Sequence, residues 1–338
     1  RAARCDSGFD ARRRCWSYAW RGGPSTGRWL MIGAVRAEGV EPDSVFHGEG
    51  YAPAGLTEAE RSGGAPLQDA PEPMRLDCPD WLFPQIVAAY GEKTNAILSA
   101  LRDRAPVFLR VNTTKGTRDD ALKALGADEI TATPYALADT ALEVTANARR
   151  IRASRAFQGG LVELQDAASQ AVVAACLPFA GQGRVLDYCA GGGGKALAFA
   201  AAGLRDVTAH DAVPDRMIDI APRAARAGTP VRSITKVKKT YDLVFCDAPC
   251  SGSGAWRRQP DAKWLLDAER LATLTQTQDE ILETAQHHVA PGGTLAYATC
   301  SLLPVENGAR LSAVRGRNPG WRVELERQWT PLDGGDGF

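Results

Sequence analysis

Two kinds of apolar pattern divide the chain. From residue 160 onward, short unbroken apolar runs alternate with stretches in which apolar residues recur every three to four positions. The first pattern predicts buried strands and the second amphipathic helices. Residues 167–177 read as a helix, 184–187 as a strand, 195–202 as a helix and 206–211 as a second strand. A strand follows at 241–246, a long helix at 265–289 and a further strand at 294–299. Such alternation is what a doubly wound parallel sheet requires.

Before residue 160 the pattern changes. Residues 81–90 and 94–101 read as helices, 106–112 as a strand, 119–125 as a helix and 141–144 as a short strand. Asp119 and Asp120 open the third of these helices, where the helix dipole favours them. The organisation expected is a small α+β module, similar to an RNA-recognition sheet, over 77–155 and a parallel-sheet domain over 156–338. Residues 1–76 carry one helical apolar run, at 29–36, between glycine- and proline-rich stretches. They are expected to form a small helical region with a loose tail over 45–76.

Composition narrows the class. A chain of 338 residues, 44% hydrophobic and 24% charged, matches an ordinary globular protein of two or three domains. No apolar run approaches the ~20 residues of a membrane helix, so no membrane partner is expected. The chain begins at Arg1, and its true N-terminus is expected to lie upstream. Its eight cysteines lack the spacing of a disulfide framework, which favours free thiols and a cytoplasmic location.

Forty basic residues balance forty acidic ones, which weighs against a nucleic-acid partner. The basic residues are clustered, however, at 12–14, at Arg149, Arg150 and Arg152, at Lys236, Lys238 and Lys239, and at Arg257 and Arg258. Local patches, not net charge, set the field a polyanion meets. Any one cluster taken alone reads as solvated surface.

Candidate chemistry starts at Asp187. This residue ends a predicted strand, Cys189, Ala190 and the glycines Gly191, Gly192, Gly193 and Gly194 follow, and a helix begins near Lys195. Glycine permits the tight turn and close ligand approach, while the helix start offers free amides. Asp211, twenty residues after Gly191, ends the next strand, where a carboxylate can accept both hydroxyls of a ribose. A phosphate-binding loop of the Walker type would need glycine at Cys189 and serine or threonine at Ala196. A dinucleotide fingerprint is only half present. A methyl donor built on adenosine fits best.

Two thiols form the second element of the chemistry. Cys250 stands three residues after Asp247 in a Pro/Gly-rich loop, and Cys300 closes the strand-like run at 294–299. Strand-end cysteines read blandly as small hydrophobes. A zinc site built from Cys189, Cys246, Cys250 and Cys300 lacks the usual paired spacing, so no metal is expected. The nucleophilic reading has its own logic. Carbon 5 of a pyrimidine is too weak a nucleophile to take a methyl group directly. A thiolate added at carbon 6 makes the ring an enamine that can, and a nearby carboxyl can hold the base. A second thiol could then assist release.

On these residues the chain resembles the RNA (cytosine-5)-methyltransferase family, and within it the bacterial ribosomal-RNA enzymes of the Fmu/RsmB type. The matching segments include residues 110–112, 160–170, 187–195, 247–258 and 291–307, with Asp211 between them. The resemblance implies a Rossmann-like sheet that binds S-adenosylmethionine, and RNA, small-subunit ribosomal RNA above all, as substrate. It implies Cys300 as nucleophile, Cys250 as the thiol that aids release, and Asp247 at the target base and the donor's reactive end. Cys189 through Lys195, with Asp211, Arg216 and Asp247, would hold the cofactor. Residues 1–76 would correspond to a helical RNA-binding region.

Two departures stand out. The family usually reads Ala-Pro-Gly-Gly-Lys where this chain has Gly191, Gly192, Gly193, Gly194 and Lys195. The family's acidic residue before the fourth strand also has no counterpart in 228–240. The competing readings are a non-catalytic RNA-binding or ribosome-assembly factor on the same scaffold, a tRNA cytosine-5 methyltransferase, and a nicotinamide-dependent oxidoreductase. A monomer is expected.

Overall fold

The computed structural model describes residues 27–63, 67–181 and 183–338. Residues 12–14, the first of the basic clusters, lie outside the described residues. The chain divides into two compact units, one of residues up to 103 together with 256–267, the other of 104–255 with 268–338.

In the first unit, helix α1 (Gly27–Ala37) packs Ile32 against Phe46 and Leu56. Two further helices, α2 (Phe83–Tyr90) and α3 (Thr94–Ala100), bury Ile86, Ile97 and Leu98. The stretch expected as a loose tail is built instead from short ordered pieces. Thr57 and Glu60 form a reciprocal capping box at the start of helix Glu58–Ser62, and Glu60 also takes the Arg28 guanidinium at 2.6 Å. A capping box and an ion pair between residues 32 apart leave no hydrophobic period to read.

The second unit holds two sheets. In the smaller, β1 (Val107–Val111), β2 (Thr131–Pro134), β3 (Ala141–Ala146) and β4 (Val162–Leu164) lie in the order β2-β3-β1-β4, with every pair antiparallel. Helix α4 (Arg118–Ala127), with its own capping box at Thr117, covers this sheet through Ala121 and Leu125. This is the split βαβ arrangement. The expected boundary at 155 is displaced, because β4 pairs with β1 through Leu109 and Leu164. Three residues are too few to carry a period, so the sequence did not announce that strand.

The larger sheet is parallel throughout. Its strands β5 (Val185–Asp187), β6 (Val207–His210), β7 (Arg232–Ile234), β8 (Tyr241–Asp247) and β9 (Val289–Ala298) lie in the order β7-β6-β5-β8-β9. Helices α5 (Ala167–Ala180), α6 (Gly194–Ala201), α7 (Ile220–Ala227), α8 (Ala268–Ala285) and α9 (Gly308–Arg317) provide the connections and flanks. Val185, Val207, Leu243 and Phe245 of the strands pack with Phe199 and Ile220 of the helices, and the rings of Phe199 and Phe245 meet edge-on at 5.5 Å. Full burial of each such side chain contributes roughly 1.5–3 kcal/mol. The single helix expected over 265–289 is interrupted. Leu266 adopts an extended backbone, α8 starts at Ala268, and Val289 already belongs to β9.

Strand order reverses between β5 and β8, which opens a crevice at their carboxyl ends. Asp187 and Asp247 each terminate one of the two strands, and the cysteine-bearing turns follow β8 and β9.

Candidate active site

The glycine turn is shaped by backbone conformations that side chains resist. Gly191 and Gly193 have φ of 49° and 76°, and a Cβ on Gly193 would sit 2.6 Å from the Ile220 side chain. The turn is closed by local bonds: the Gly193 amide donates to the Ala190 carbonyl at 2.8 Å, and the Gly191 amide to Asp211 Oδ2 at 2.8 Å. Asp211 is buried and also accepts from the Val213 amide at 2.9 Å, while the exposed Arg216 lies 3.6 Å away. Asp211 and Arg216 thus flank the turn as expected from the sequence.

Beneath the turn, Asp187 is fully buried. Its Oδ2 accepts from the Ala196 amide at 2.9 Å, at the start of α6, but its Oδ1 has no partner among the described residues. Burial, reinforced by the nearby Asp247, pushes this carboxyl up to about 7. A buried acceptor left open beside a close-approach glycine turn suits a ligand that carries a positive charge and an adenosine. The residues present therefore fit S-adenosylmethionine: Ala190 to Gly194 offer the cradle and Asp211 the carboxylate next to it.

Asp247 forms a short ion pair with Lys195. Burial alone would lower the lysine pKa, yet Asp247 outweighs it and the ammonium is held above its ordinary value. The Lys195 ammonium also stands 5.2 Å from the centre of the Phe338 ring. Cys189, expected within the cofactor turn, lies in the same turn as a thiol whose pKa burial and Asp187 push up.

The two strand-end cysteines converge. Cys250 Sγ and Cys300 Sγ are 3.4 Å apart. The hydrogen bond to Cys300 and burial both push the Cys250 thiol well above its ordinary value. None of the six cysteines among the described residues, Cys78, Cys176, Cys189, Cys246, Cys250 and Cys300, forms a disulfide. No group of three or more candidate metal ligands occurs among the described residues.

Sequence reasoning passed over what holds the thiols together. Ser251 and Ser301, each the residue after a cysteine, both donate their hydroxyls to Glu306. Glu306 is fully buried and also accepts from the Ser251 amide at 2.8 Å and from Gln278 Nε2 at 3.0 Å. Gln278, on α8, donates to the Pro249 carbonyl as well, at 3.0 Å. The Gly254 amide donates to the Cys300 carbonyl at 3.0 Å, and the Leu302 amide to Ser253 Oγ at 2.8 Å. The signal was the pair of serines following the cysteines, but their common acceptor is set by tertiary packing.

The parallel sheet with its glycine turn and paired carboxylates has the Rossmann-like architecture of S-adenosylmethionine-dependent methyltransferases. Residues 174–332 match the family described as 16S rRNA methyltransferase RsmB/F, and residues 78–149 match its ferredoxin-like domain. The chain belongs to this RsmB/F methyltransferase family. It is 36% identical over 253 residues to ribosomal RNA small subunit methyltransferase B of Salmonella arizonae, a match covering 71% of this chain and 58% of the relative. It is 33% identical over 282 residues to the protein of that name from Escherichia coli, covering 77% and 64%. The chain thus spans about three fifths of the length of the curated relatives it matches.

Among solved structures, a methyltransferase homolog protein from Pyrococcus horikoshii superimposes with a TM-score of 0.67 at 23% identity, covering 78% of this chain and 94% of that one. NSun6 from Pyrococcus horikoshii, solved with SFG, gives 0.67 at 16% identity, covering 77% and 96%. These likenesses establish the fold. No helix among the described residues is long and apolar enough to cross a membrane.

Proposed function

We propose that the chain methylates carbon 5 of a cytosine in small-subunit ribosomal RNA, in the cytoplasm, through a covalent adduct with Cys300. The observation that carries this reading is the pair of thiols 3.4 Å apart at the ends of β8 and β9, beside the Lys195–Asp247 pair and the glycine turn. Bound in that turn, S-adenosylmethionine would supply an electrophilic methyl group.

Each side chain has a task that its surroundings support. Cys250, kept as a thiol, would donate a hydrogen bond to the Cys300 sulfur. Cys300 Sγ, its proton passed to water, would then add to carbon 6, opening the double bond between carbons 5 and 6, with a proton taken up at ring nitrogen 3 to leave an enamine whose carbon 5 would accept the methyl group. Asp247, fixed through Oδ2 by Lys195, would accept from the exocyclic amine and hold the ring against the thiolate. After transfer, water would take the carbon-5 proton as the bond from Cys300 to carbon 6 breaks and the ring double bond re-forms, the proton at ring nitrogen 3 returning to water, and Cys250 would donate to the departing sulfur. A stacked target base would have to be turned out of its helix to reach these groups. The small antiparallel sheet and the basic residues Arg149, Arg150 and Arg152 would contribute contacts to RNA phosphates.

The decisive experiment incubates the protein with labelled S-adenosylmethionine and total RNA from a strain lacking it, then maps 5-methylcytosine. Label in one small-subunit position is the expected result. Label confined to tRNA would select the tRNA reading, and no label in any RNA would leave the non-catalytic scaffold.

A further inference from the structure

Four consecutive glycines have no side chains with which to stiffen a turn, and ordering them costs more conformational entropy than ordering any other residue. The neighbours of Gly191, Gly192, Gly193 and Gly194 supply the restraint instead. Asp211 holds the Gly191 amide, and Arg110 and Gln165 donate to the Gly194 carbonyl at 3.0 and 3.1 Å. At Gly192 the restraint comes from α7, where Arg223 Nη1 donates to the carbonyl.

Arg223 is itself held. Its Nε lies 3.5 Å from Glu163 Oε2 on β4, and Glu163 also takes Arg226 Nη2. Arg226 is in turn seated over the Phe157 ring at 4.1 Å. Both sides of the Glu163–Arg223 pair are largely buried, at 12% and 24% exposure, so solvent screens the contact only in part. A continuous chain of contacts therefore runs from the small antiparallel sheet through Glu163 and Arg223 to the backbone of the glycine turn.

We propose that Arg223 is a positioning residue for the cofactor turn, and that through it the small sheet pre-organises the site for the adenosine-based methyl donor. The proposal rests on the reading of this turn as the donor site. A ligand that binds an ordered turn need not order it, and its affinity rises accordingly. If restraint is the whole role of Arg223, a different restraint at Gly192 should replace it. Gly192 is not in the left-handed region, and a Cβ there would meet only Arg223 Nη1, at 3.5 Å. Proline at that position would remove backbone freedom without needing the arginine.

The test is calorimetric titration of the full chain with S-adenosylhomocysteine, with a thermal melt of each variant as a check on folding. Arg223→Ala should weaken binding at least about tenfold, a loss of ~1.4 kcal/mol. Glu163→Gln should weaken it less. Arg223→Ala combined with Gly192→Pro should return affinity to near the wild-type value, and Gly192→Ala in the same background should recover part of it. Unchanged affinity in Arg223→Ala overturns the proposal. So does a loss that neither residue at 192 repairs, because the arginine would then be touching the ligand. A wild-type chain that binds no S-adenosylhomocysteine would sink the donor-site reading itself, whereas the other failures leave that reading standing.

Discussion

Cys250 and Cys300, fifty residues apart in sequence, place their sulfurs 3.4 Å from one another. The contact raises the pKa of the Cys250 thiol. The roles proposed for them are therefore separable by substitution. Cys300→Ala should abolish methyl transfer. Cys250→Ala should still form the adduct but release it slowly, so that RNA-bound protein accumulates as a slow-migrating band on a denaturing gel. The reverse pattern, with the band in Cys300→Ala, would exchange the roles.

Glu306 gathers both cysteine turns by accepting from Ser251, Ser301 and Gln278. Glu306→Ala would remove the acceptor these donors share, at about 1–3 kcal/mol for each group left without a full replacement. A domain of this size should then melt lower by about 2–4 °C per kcal/mol. Transfer should fall further than stability explains, because the thiols would lose their fixed separation. The check is a melt and an initial-rate measurement on the same preparation.

Asp187 gives a pH signature. Its carboxyl is raised from an ordinary 3.8 to about 7, with burial as the main cause. Between those values the folded chain keeps a proton that the unfolded chain has released. Its contribution to stability is complete below about pH 4 and is lost as pH rises through about 7. Asp187→Asn keeps an acceptor for the Ala196 amide but cannot ionise. The wild type should therefore lose stability relative to Asp187→Asn across this window in urea titrations, and the difference should level off above it. A difference that grows more favourable to the wild type with rising pH would contradict the assignment.

Asp211 bonds the Gly191 amide, and in the proposed donor site its carboxylate would accept from the ribose hydroxyls. Hydrogen bonds to a charged group contribute roughly 1.5–3 kcal/mol. Asp211→Ala should weaken S-adenosylhomocysteine binding by about one to two orders of magnitude in calorimetry, with RNA binding in a filter assay little changed.

Much of this was legible in the sequence because the relevant signals are local. Alternating strand and helix patterns sufficed for the parallel sheet, and the glycines marked the tight turn that Asp211 closes. The two cysteines declared themselves by standing at the ends of apolar runs. Other features depend on partners far along the chain. Val162–Leu164 is a strand only because β1 offers it an edge, and the break at Leu266 and Asp267 interrupts an otherwise continuous helical pattern. Glu306 looks like one more surface acid until Ser251, Ser301 and Gln278 are folded around it. Arg223 looks like an exposed helix residue until Glu163 and Gly192 are brought beside it.

The register of β8 against β9 has a further consequence. Asp247 pairs with Ala298, so the two turns that carry the thiols leave adjacent strands at the same level. Neighbouring strands lie about 4.8 Å apart. The sheet thus acts as a ruler that sets the level at which both turns begin, and the Glu306 bonds fix the sulfurs within that frame. Substitutions deep in that ladder, around Phe245 or Ala296, could retune the chemistry from a distance, whereas insertions elsewhere in the connecting segment would leave the spacing untouched.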